Sequence, residues 1–487
     1  MRKTMVTLLG MMMLAALLLA ACSNGGSAGG DAGGGAEPVG AGSGGANGSD
    51  AANGEGSDAG PAEKITISIY YPTPDREDDR KLEDDKIRRF TEQYPNVEVV
   101  KSDWQYSPNE IGIKMAANEA PTLFNTYATE GKFLAERGWA ADITALFDDY
   151  AYKEQMNPIL QEQFILDGKV YGIAQRGYVT GTVVNTKMLR ERGAEVPPLD
   201  WTWDDLLTTA PAVADPGAGI SGIAPMGKAN DAGWNWTNFL FEAGGEIQAI
   251  EGGKVVAKFN SEAGAKALDF YKRLRWEANA IPQDWALDWG DAVGSFAQGR
   301  TAMVIAGPDG PVDQGLNQGG MSPDDIAVYP MPAMEAGGAH TGVLGGDYLV
   351  VNPNASPEEQ EMAFRYATFD YFSDNFLTSL EANIQARKDD GKYFIPPVIE
   401  YFDMESAFGQ KVKAVYDKFD NVYQYDPASI ALMDGKPEAQ FNTQDYYATM
   451  TNVIQEVFAN ENVDVQAQLD AAAQLVQTEF LDPIEVK

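Results

Sequence analysis

Apolar and polar positions alternate with two different periods in the first third of the chain. A period of two, as in a half-buried strand, gives way to a helical period, and the changes coincide with Pro or with capping sequences such as Ser107 to Glu110. The elements predicted in this part are strands at 64–71, 97–100 and 122–124 and helices at 74–94 and 107–118. Their order, strand, helix, strand, helix, strand, predicts a wound α/β lobe.

The stretch 168–185 is rich in Val, Ile, Thr and Tyr, which fit a half-buried pleated surface. It predicts two short extended segments, 170–174 and 178–184. Three glycines interrupt it, namely Gly172, Gly177 and Gly181. A long extended segment with a pliable middle, far from both termini, suits a crossing between two lobes. A single central strand with a bulge is the alternative that these residues leave open.

The second half of the chain predicts another set of strands and helices. Capping boxes at Thr202–Asp205 and Ser356–Glu359 mark the starts of two helices, and Asn260 and Ser261 are candidate caps for a third. Further strands are expected at 254–259, 299–307 and 326–330, and a second Gly-rich extended run at 342–351. This run is a candidate for the return crossing between the lobes, and the remainder is predicted to be largely helical.

Length and charge narrow the class of protein. A chain of 487 residues is longer than one hydrophobic core usually supports, so two or more lobes are expected. The formal net charge of -36 argues against nucleic acid as a partner, because binding it needs a basic face. The excess of acidic over basic residues also suits a soluble protein surface in a salt-containing extracellular medium.

The first 63 residues have the composition of a targeting segment and a tether. Arg2 and Lys3 precede an apolar run, which predicts a signal peptide over residues 1–21. The run ends in a sequence similar to the bacterial lipoprotein box, and its Cys22 is the only cysteine of the chain. Lipidation of Cys22 would anchor the mature protein to a membrane, whereas an ordinary signal peptide with a chance cysteine is the alternative. Residues 22–63, almost all small or polar, predict a disordered tether.

Several kinds of catalytic and metal site are excluded by counting. A single cysteine excludes a disulfide within the chain and a Cys-rich metal site. His340 is the only histidine, which excludes any site that needs two, and it is expected in a loop at the surface or the hinge. The 72 acidic residues leave a pair of catalytic carboxylates open. Asp284, Asp288 and Asp291 are expected to form a solvated face, with a calcium site as the minor alternative.

Aromatic side chains beside Gly, Asn and Asp are the candidate binding groups. Flat apolar faces next to amides and carboxylates suit a sugar, which has apolar C–H faces and a rim of hydroxyls. Local packing is the alternative for every such ring, and it is preferred for Trp203 at its helix start. The rings proposed to bind, in loops or at strand ends, are Tyr71, Tyr127, Trp234, Trp236 and Trp289.

Five segments, in order and with consistent spacing, carry a resemblance to a known family. They are 90–99, 117–124 with Thr122 where Asp is usual, 168–185 with Ala174 for Pro and Val184 for Tyr, 296–303, and 344–347. Together they resemble the extracellular solute-binding proteins of ABC importers, the group that includes maltose-binding protein, over nearly all of residues 64–480. The lipoprotein box and the tether are similar to those of the Gram-positive members.

The resemblance implies an α/β fold of two lobes joined by hinge strands, with a central ligand cleft. The chain would cross near Gly177 and return near Gly342. The expected lobes are 64–176 with 343–410, and 177–342 with 411–487. Closure about the hinge would present the loaded form to a membrane permease.

The resemblance also implies which residues meet the ligand. A Trp is common in the family at the position of Asp309, and Trp289 is the candidate to replace that ring. No catalytic residue, cofactor or bound metal is implied. The ligand-binding positions carried over are Tyr71, Thr73, Asp75, Tyr127, Glu130, Tyr178, Trp234, Trp236, Asp309, Gly346 and Asp347.

These expectations describe a monomeric, lipid-anchored, non-enzymatic receptor on the outer face of the cell membrane of a Gram-positive bacterium. It would bind a small solute, an oligosaccharide by the evidence of its aromatic residues, and deliver it to ABC permease subunits. A secreted carbohydrate-active enzyme with two facing carboxylates and a sensor that hands its ligand to a signalling partner are the alternatives.

Overall fold

Two crossing strands join two β-sheets, and the other elements are arranged around them. The structure is a computed structural model that describes residues 63–74 and 76–484. The predicted signal peptide, the tether, Cys22 and Asp75 lie outside these residues. In chain order the strands are β1 (Ile65–Tyr70), β2 (Val97–Ser102), β3 (Leu123–Tyr127), β4 (Ile165–Leu166), β5 (Lys169–Val170), β6 (Ile173–Val179), β7 (Gly181–Asn185), β8 (Ser221–Ile223), β9 (Gln248–Glu251), β10 (Lys254–Ala257), β11 (Thr301–Ala306), β12 (Ile326–Tyr329), β13 (Thr341–Val351), β14 (Ile399–Glu400) and β15 (Asp434–Pro437).

The two sheets differ in size and share no strand. The first has the order β14-β6-β13-β3-β1-β2. A seventh strand, β15, also pairs with β13. In it β1 is parallel to β2 and β3, and β13 is antiparallel to β3 and β6. The second sheet has the order β12-β7-β11-β8, and β4-β5 and β9-β10 form separate two-stranded ladders. Mixed sheets flanked by helices confirm the predicted α/β class.

Helices connect the strands and cover both sheets. Several of them begin at a side-chain cap or a proline, such as the helices that follow Thr202, Ser356 and Asp426. Their bounds are α1 (Glu77–Gln93), α2 (Ile111–Ala116), α3 (Gly131–Glu136), α4 (Thr144–Asp148), α5 (Pro158–Gln161), α6 (Thr186–Arg192), α7 (Trp203–Val213), α8 (Ala229–Glu242), α9 (Glu262–Trp276), α10 (Trp289–Ala297), α11 (Asp309–Asn317), α12 (Pro357–Ala367), α13 (Asp374–Asp389), α14 (Ala407–Tyr416), α15 (Pro427–Leu432), α16 (Thr443–Ala459) and α17 (Val465–Val476).

The capping predictions are confirmed at three helices and wrong at one. Ser261, one of the two candidate caps of α9, accepts the Gly264 N–H. Thr202 and Ser356 each form a capping box with the acidic residue three positions on. Ser107 does not cap α2, which begins at Ile111 without a side-chain cap. The carboxylate of Glu110, which the box would require, instead accepts the indole N–H of Trp104 at 3.0 Å.

The chain crosses between the sheets at Thr180. Residues up to Val179 pair in the first sheet and residues from Gly181 pair in the second. The Thr180 N–H donates to the carbonyl of Val343 at 2.9 Å, so the outgoing and returning strands lie side by side at the crossing. The structure therefore confirms the predicted crossing over the alternative of a single bulged strand.

Each sheet has its own hydrophobic core. The core of the first sheet draws on residues between 67 and 179 and again between 344 and 422. The core of the second sheet is larger than that of the first, and it draws on residues between 184 and 343 and between 441 and 481. Val412 and Val422, which were expected in the second lobe, pack in the first core because α14 lies against α13. We propose that the chain leaves the first lobe after Val422 rather than at residue 410.

His340 lies in the loop beside the returning crossing strand, as the hinge alternative predicts, but it is buried rather than at the surface. It directly precedes β13 and is buried, with its ring nitrogens 2.6 Å from the Met331 carbonyl and 3.0 Å from Asp200. Its role is to fix the start of the returning strand. Among the described residues, no helix has both the length and the apolar character that a membrane crossing requires.

Candidate functional site

The site lies where the two sheets face each other across the crossing strands. Strands β1 and β3 are parallel and end at Tyr70 and Tyr127, and β6 ends beside them at Val179. In the second sheet β11 ends at Ala306, which pairs with Gly181 at the crossing. Ligands of open α/β sheets bind in the crevice at the carboxyl ends of strands. The space bordered by these strand ends is named the crevice below.

An ion triad spans the crevice. Arg176 on β6 donates from Nε to Asp347 Oδ2 on the neighbouring strand β13 at 2.7 Å. Its Nη1 lies 3.5 Å from Asp309 Oδ2, at the start of α11 on the second sheet. The Arg176 side chain is half exposed, so the triad faces the crevice. The charge of Asp347, followed by that of Asp309, raises the pKa of Arg176, while burial raises the pKa of Asp309.

Tyr178 stands next to Arg176 on the same face of β6, because side chains two positions apart in a strand share a face. A Cβ added at Gly307 would lie 2.9 Å from the Tyr178 ring, and one added at Gly345 would lie 2.4 Å from its hydroxyl. The ring of Trp234 on α8 meets the Tyr178 ring edge-on, with 6.3 Å between centroids. Tyr178 therefore contacts both sheets, and glycine at both positions gives its ring room.

Tyr127 offers the most exposed predicted ring on the first-sheet side, at 41%. It pairs with Asp347 in the sheet and packs edge-on against Tyr106 with 5.7 Å between centroids. Desolvation raises the pKa of its phenol, and the nearby charges of Asp347, Asp231 and Glu130 add to the shift. The ring thus stands among carboxylates from both sides of the crevice.

The second-sheet side is built on the starts of α8, α10 and α11. Asp231 accepts the backbone N–H of Trp289 at 2.9 Å, which fixes the start of α10 against α8. A Cβ on Gly310 would lie 2.6 Å from the Trp289 ring, so this ring packs directly beside Asp309. Trp289 therefore lies next to the position where the family resemblance leads one to expect a stacking ring.

Two further contacts connect the sides of the crevice. Gln444 at the start of α16 donates to Thr129 Oγ1 at 3.0 Å. The ammonium group of Lys132 on α3 lies 4.1 Å from the centre of the Phe441 ring. These contacts, with the Arg176 and Tyr178 pairs, bring the two lobes together along one border.

The structure brings seven of the predicted positions together at the crevice. Those at the crevice are Tyr127, Tyr178, Trp234, Trp289, Asp309, Gly346 and Asp347. Gly346 contributes its backbone, since a Cβ there would lie 2.8 Å from the Arg176 carbonyl oxygen. Asp75 is not among the described residues.

The remaining predicted positions have roles within the fold. Trp236 is fully buried in the second core and has no surface to offer a ligand. Tyr71 is buried, with its hydroxyl donating to Asp84 at 2.8 Å. Glu130 is buried, accepts hydrogen bonds from Tyr106 and Thr129, and has its pKa raised by burial to about 6. The carbonyl of Thr73 accepts the Arg76 N–H in the turn before α1.

Sequence reasoning missed three residues at the crevice. Arg176 shares its strand face with Tyr178, and period-two alternation would have found it. Of the neighbouring Tyr70 and Tyr71, it is Tyr70 that approaches the crevice. Its hydroxyl oxygen accepts a hydrogen bond from Arg76 at 3.1 Å. Burial raises the pKa of Tyr70, and the charge of Asp347 adds to the shift. Asp231 is the third, because the composition of residues 230–236 predicts a loop, whereas these residues lie in helix α8.

Two α/β lobes, joined by crossing strands and contributing polar and aromatic side chains to the space between them, define a two-lobed binding protein. The sequence profile described as bacterial extracellular solute-binding protein matches residues 73–383. The chain belongs to this family, which is one of binding proteins rather than enzymes. Comparison with curated proteins finds no match.

Solved structures of binding proteins have the same fold. An ABC substrate-binding protein from Listeria monocytogenes in complex with cycloalternan aligns over 85% of this chain and 98% of its own, with 18% identity and a TM-score of 0.66. Maltose-bound MalE3 of T. maritima aligns over 85% and 99%, with 18% identity and a TM-score of 0.64. UgpB from Mycobacterium tuberculosis in complex with glycerophosphocholine aligns over 85% and 97%, with 14% identity and a TM-score of 0.64.

Proposed function

We propose that this chain is a lipid-anchored extracellular receptor that binds a carbohydrate, an oligosaccharide, and delivers it to ABC permease subunits in the membrane. The observation that carries the proposal is the convergence of the Tyr127, Tyr178 and Trp234 rings with Asp347 and Asp309 at one crevice. Rings and hydrogen-bonding groups in one concave site are what a sugar requires.

Each group has a role that follows from its position. The exposed face of Tyr127 suits stacking on the C–H face of a sugar ring, and Trp234 and Trp289 supply apolar surface from the opposite lobe. Asp347 and Asp309 accept hydrogen bonds from hydroxyls, while the N–H groups of Arg176 donate them. A solute that meets both lobes at once stabilises the closed form, which is the form that a permease would recognise.

The ligands bound in similar solved structures support a carbohydrate without choosing one. Cycloalternan and maltose are bound by two of them, and glycerophosphocholine by the third. The aromatic rings of this crevice favour the saccharides. A chain length beyond two sugar units is our inference from the spread of rings from Tyr127 on the first sheet to Trp289 on the second.

The proposed attachment and oligomeric state come from the sequence. Lipidation at Cys22 after removal of residues 1–21 would leave the body on a tether of residues 22–63 at the outer face of the membrane. We propose a monomer, because the crevice draws all its groups from one chain. The formal net charge of -36 also disfavours association of copies.

The alternative of a carbohydrate-active enzyme has one observation in its favour. Asp347 and Asp309 approach each other from opposite lobes, as the two carboxylates of a glycosidase do. The guanidinium of Arg176, however, lies between the two carboxylates and contacts both of them. We therefore assign them to binding, and the calorimetric samples described in the Discussion are to be checked for cleaved glycan.

The test of the transport role is uptake. A strain that lacks this chain should lose import of its radiolabelled oligosaccharide, and the wild-type chain should restore it. Tyr127→Ala should restore it poorly, whereas Tyr152→Ala, which removes a ring of similar exposure stacked on Phe372, should restore it fully. Undiminished uptake without the chain would contradict the proposal, and a lost transcriptional response with normal uptake would favour the sensor.

A further inference from the structure

We propose that the crevice selects uncharged saccharides and rejects acidic ones, such as uronates and sugar phosphates, because the triad of Asp347, Arg176 and Asp309 has no positive charge left to offer. This inference rests on the proposed function and specifies its substrate class. It assigns Arg176, Asp309 and Asp347 as the residues that determine ligand charge.

The first step is the state of Arg176. An acidic sugar needs a cation with free charge, and arginine is the usual partner of carboxylates and phosphates. Here Nε of Arg176 is occupied by Asp347 at 2.7 Å, and Nη1 faces Asp309 at 3.5 Å. One guanidinium shared by two carboxylates leaves the triad with a net charge of minus one. An arriving anion would have to displace one of them.

The second step is the charge around the triad. After burial, the charges of Asp231 and Glu130 help to raise the pKa of Tyr127, and the charge of Glu438 helps to raise that of Tyr178, so further acidic groups lie near the two rings. An anionic ligand would be repelled by these groups as well as by the two carboxylates of the triad.

The third step concerns the other cations that border the crevice among the described residues. Arg76 is held by Asp79 at 2.7 Å, and Lys228 by Asp288 at 2.8 Å. Lys132 lies over the Phe441 ring and 3.8 Å from Glu136. Arg137 lies over the Phe133 ring and faces Glu130 and Asp445. Arg76, Lys228 and Lys132 thus each have a carboxylate within 4 Å, and Arg137 has the charges of Glu130 and Asp445 nearby, so little uncompensated positive charge borders the crevice.

The same groups suit neutral hydroxyls. A hydroxyl both donates and accepts, so it can donate to a carboxylate oxygen of the triad and accept from a remaining N–H of Arg176. Such hydrogen bonds involve charged partners, which makes them stronger than those between neutral groups. A neutral sugar thus gains from the triad without disturbing its ion pairs.

The experiment compares neutral oligosaccharides with acidic counterparts of matched size by titration calorimetry, using the full chain in detergent at pH 7.5. The panel pairs xylo-oligosaccharides with their glucuronate-bearing forms, galacto-oligosaccharides with oligogalacturonates, and maltose with maltose phosphate. We expect a neutral member to bind and its acidic counterpart to bind at least tenfold more weakly. An acidic member that binds as tightly as its neutral counterpart, or more tightly, overturns this inference and leaves the carbohydrate receptor standing. No binding by any saccharide overturns the proposed function, and the inference falls with it.

A charge-neutralising variant tests the mechanism on the pair that shows binding. Asp309→Asn keeps the shape of the side chain and releases Arg176 from one carboxylate, so the preference for the neutral sugar should fall at least threefold. Asp347→Asn should act in the same direction. The matched control is Asp325→Asn, which removes the partner of Arg190 at 2.6 Å, beside the end of β7 that is remote from the crossing. An unchanged preference in folded Asp309→Asn and Asp347→Asn, as judged by their melting curves, overturns the assignment to the triad.

Discussion

Gly345 lies so close to Tyr178 that a Cβ at this position would be 2.4 Å from the tyrosine hydroxyl oxygen. The two residues are register partners on the crossing strands β13 and β6. The Tyr178 ring cannot simply swing away, since a Cβ at Gly307 would lie 2.9 Å from its Cγ. The glycine at 345 is therefore required by the ring rather than by an unusual backbone conformation.

Gly345→Ala should destabilise the protein by about 1–3 kcal/mol, because it overfills a packed site, and should weaken solute binding by displacing Tyr178. Chemical denaturation and calorimetry measure the two effects. Gly294→Ala is the matched control, since a Cβ there meets no heavy atom within 4 Å and alanine favours the helix α10. Equal stability of Gly345→Ala and the wild type would show that the ring has more freedom than the structure gives it.

Trp234 and Trp236 should separate binding from stability. Trp236→Ala empties a fully buried site in the second core and should cost about 3–5 kcal/mol of folding free energy. Trp234→Ala, at a partly buried position beside Tyr178, should change the melting temperature much less and weaken solute binding at least tenfold. Melting curves and binding titrations of both variants provide the comparison. A Trp234→Ala protein that binds normally would remove this ring from the site.

Glu242 should make stability fall as pH rises. It is buried at the end of α8, neither carboxylate oxygen has a hydrogen-bond partner, and burial raises its pKa to about 9. Between the unfolded pKa of about 4.3 and the folded value, the folded protein retains the proton that the unfolded chain releases. Stability therefore decreases with pH across this window, by up to about 1.4 kcal/mol per pH unit.

Glu242→Gln is neutral in both states, so its stability advantage over the wild type should grow from pH 5 to pH 9. Buried Glu130, Glu400 and Glu438 have pKa values raised to between about 6 and about 7, and they remain in both proteins. Glu246 is exposed, so the plot of stability against pH for Glu246→Gln should run parallel to that of the wild type. Parallel curves for Glu242→Gln as well would mean that the Glu242 carboxyl is ionised in the folded protein.

Cys22→Ser should abolish lipid attachment, because serine lacks the thiol to which the lipid is added. In a Gram-positive host the wild-type chain should incorporate labelled palmitate and sediment with membranes, and the variant should incorporate none. Ser23→Ala controls for disturbance of the signal sequence. Palmitate labelling of Cys22→Ser would place the attachment elsewhere, and the absence of labelling in the wild type would contradict the anchor.

The fold was largely predictable because its signals are local. The alternation of apolar and polar residues predicts β1, and the Gly-rich stretches predict both crossings. Thr202 and Ser356 predict the starts of two helices. The packing of α14 in the first core was not predictable, because which core receives this helix depends on contacts far apart in sequence. The predicted cap at Ser107 failed for a different, local reason, since the indole of Trp104, six residues before Glu110, takes the carboxylate that the capping box needs.

The site was half predictable. Tyr127 ends β3 and follows from the rule that ligands lie at the carboxyl edge of an α/β sheet. Asp347 lies within β13 and was expected only from the family resemblance. The sequence predicts Trp236 as a ligand-binding ring because residues 230–236 have a loop-like composition. They lie in a helix, however, in which residues 234 and 236 face nearly opposite directions. Alternation along the strand directs the side chains of Tyr70 and Tyr71 to opposite faces, and the family resemblance points to Tyr71, whereas Tyr70 lies near Arg76 and Asp347.

The measurement that tests the central claim most directly is titration calorimetry of the full chain with neutral oligosaccharides of two to six units, followed by chromatography of the same samples. The account predicts saturable binding of one molecule per chain, loss of that binding in Tyr127→Ala, and recovery of the glycan intact. Binding unaffected by Tyr127→Ala, glycan recovered as shorter products, or no binding to any saccharide would contradict it.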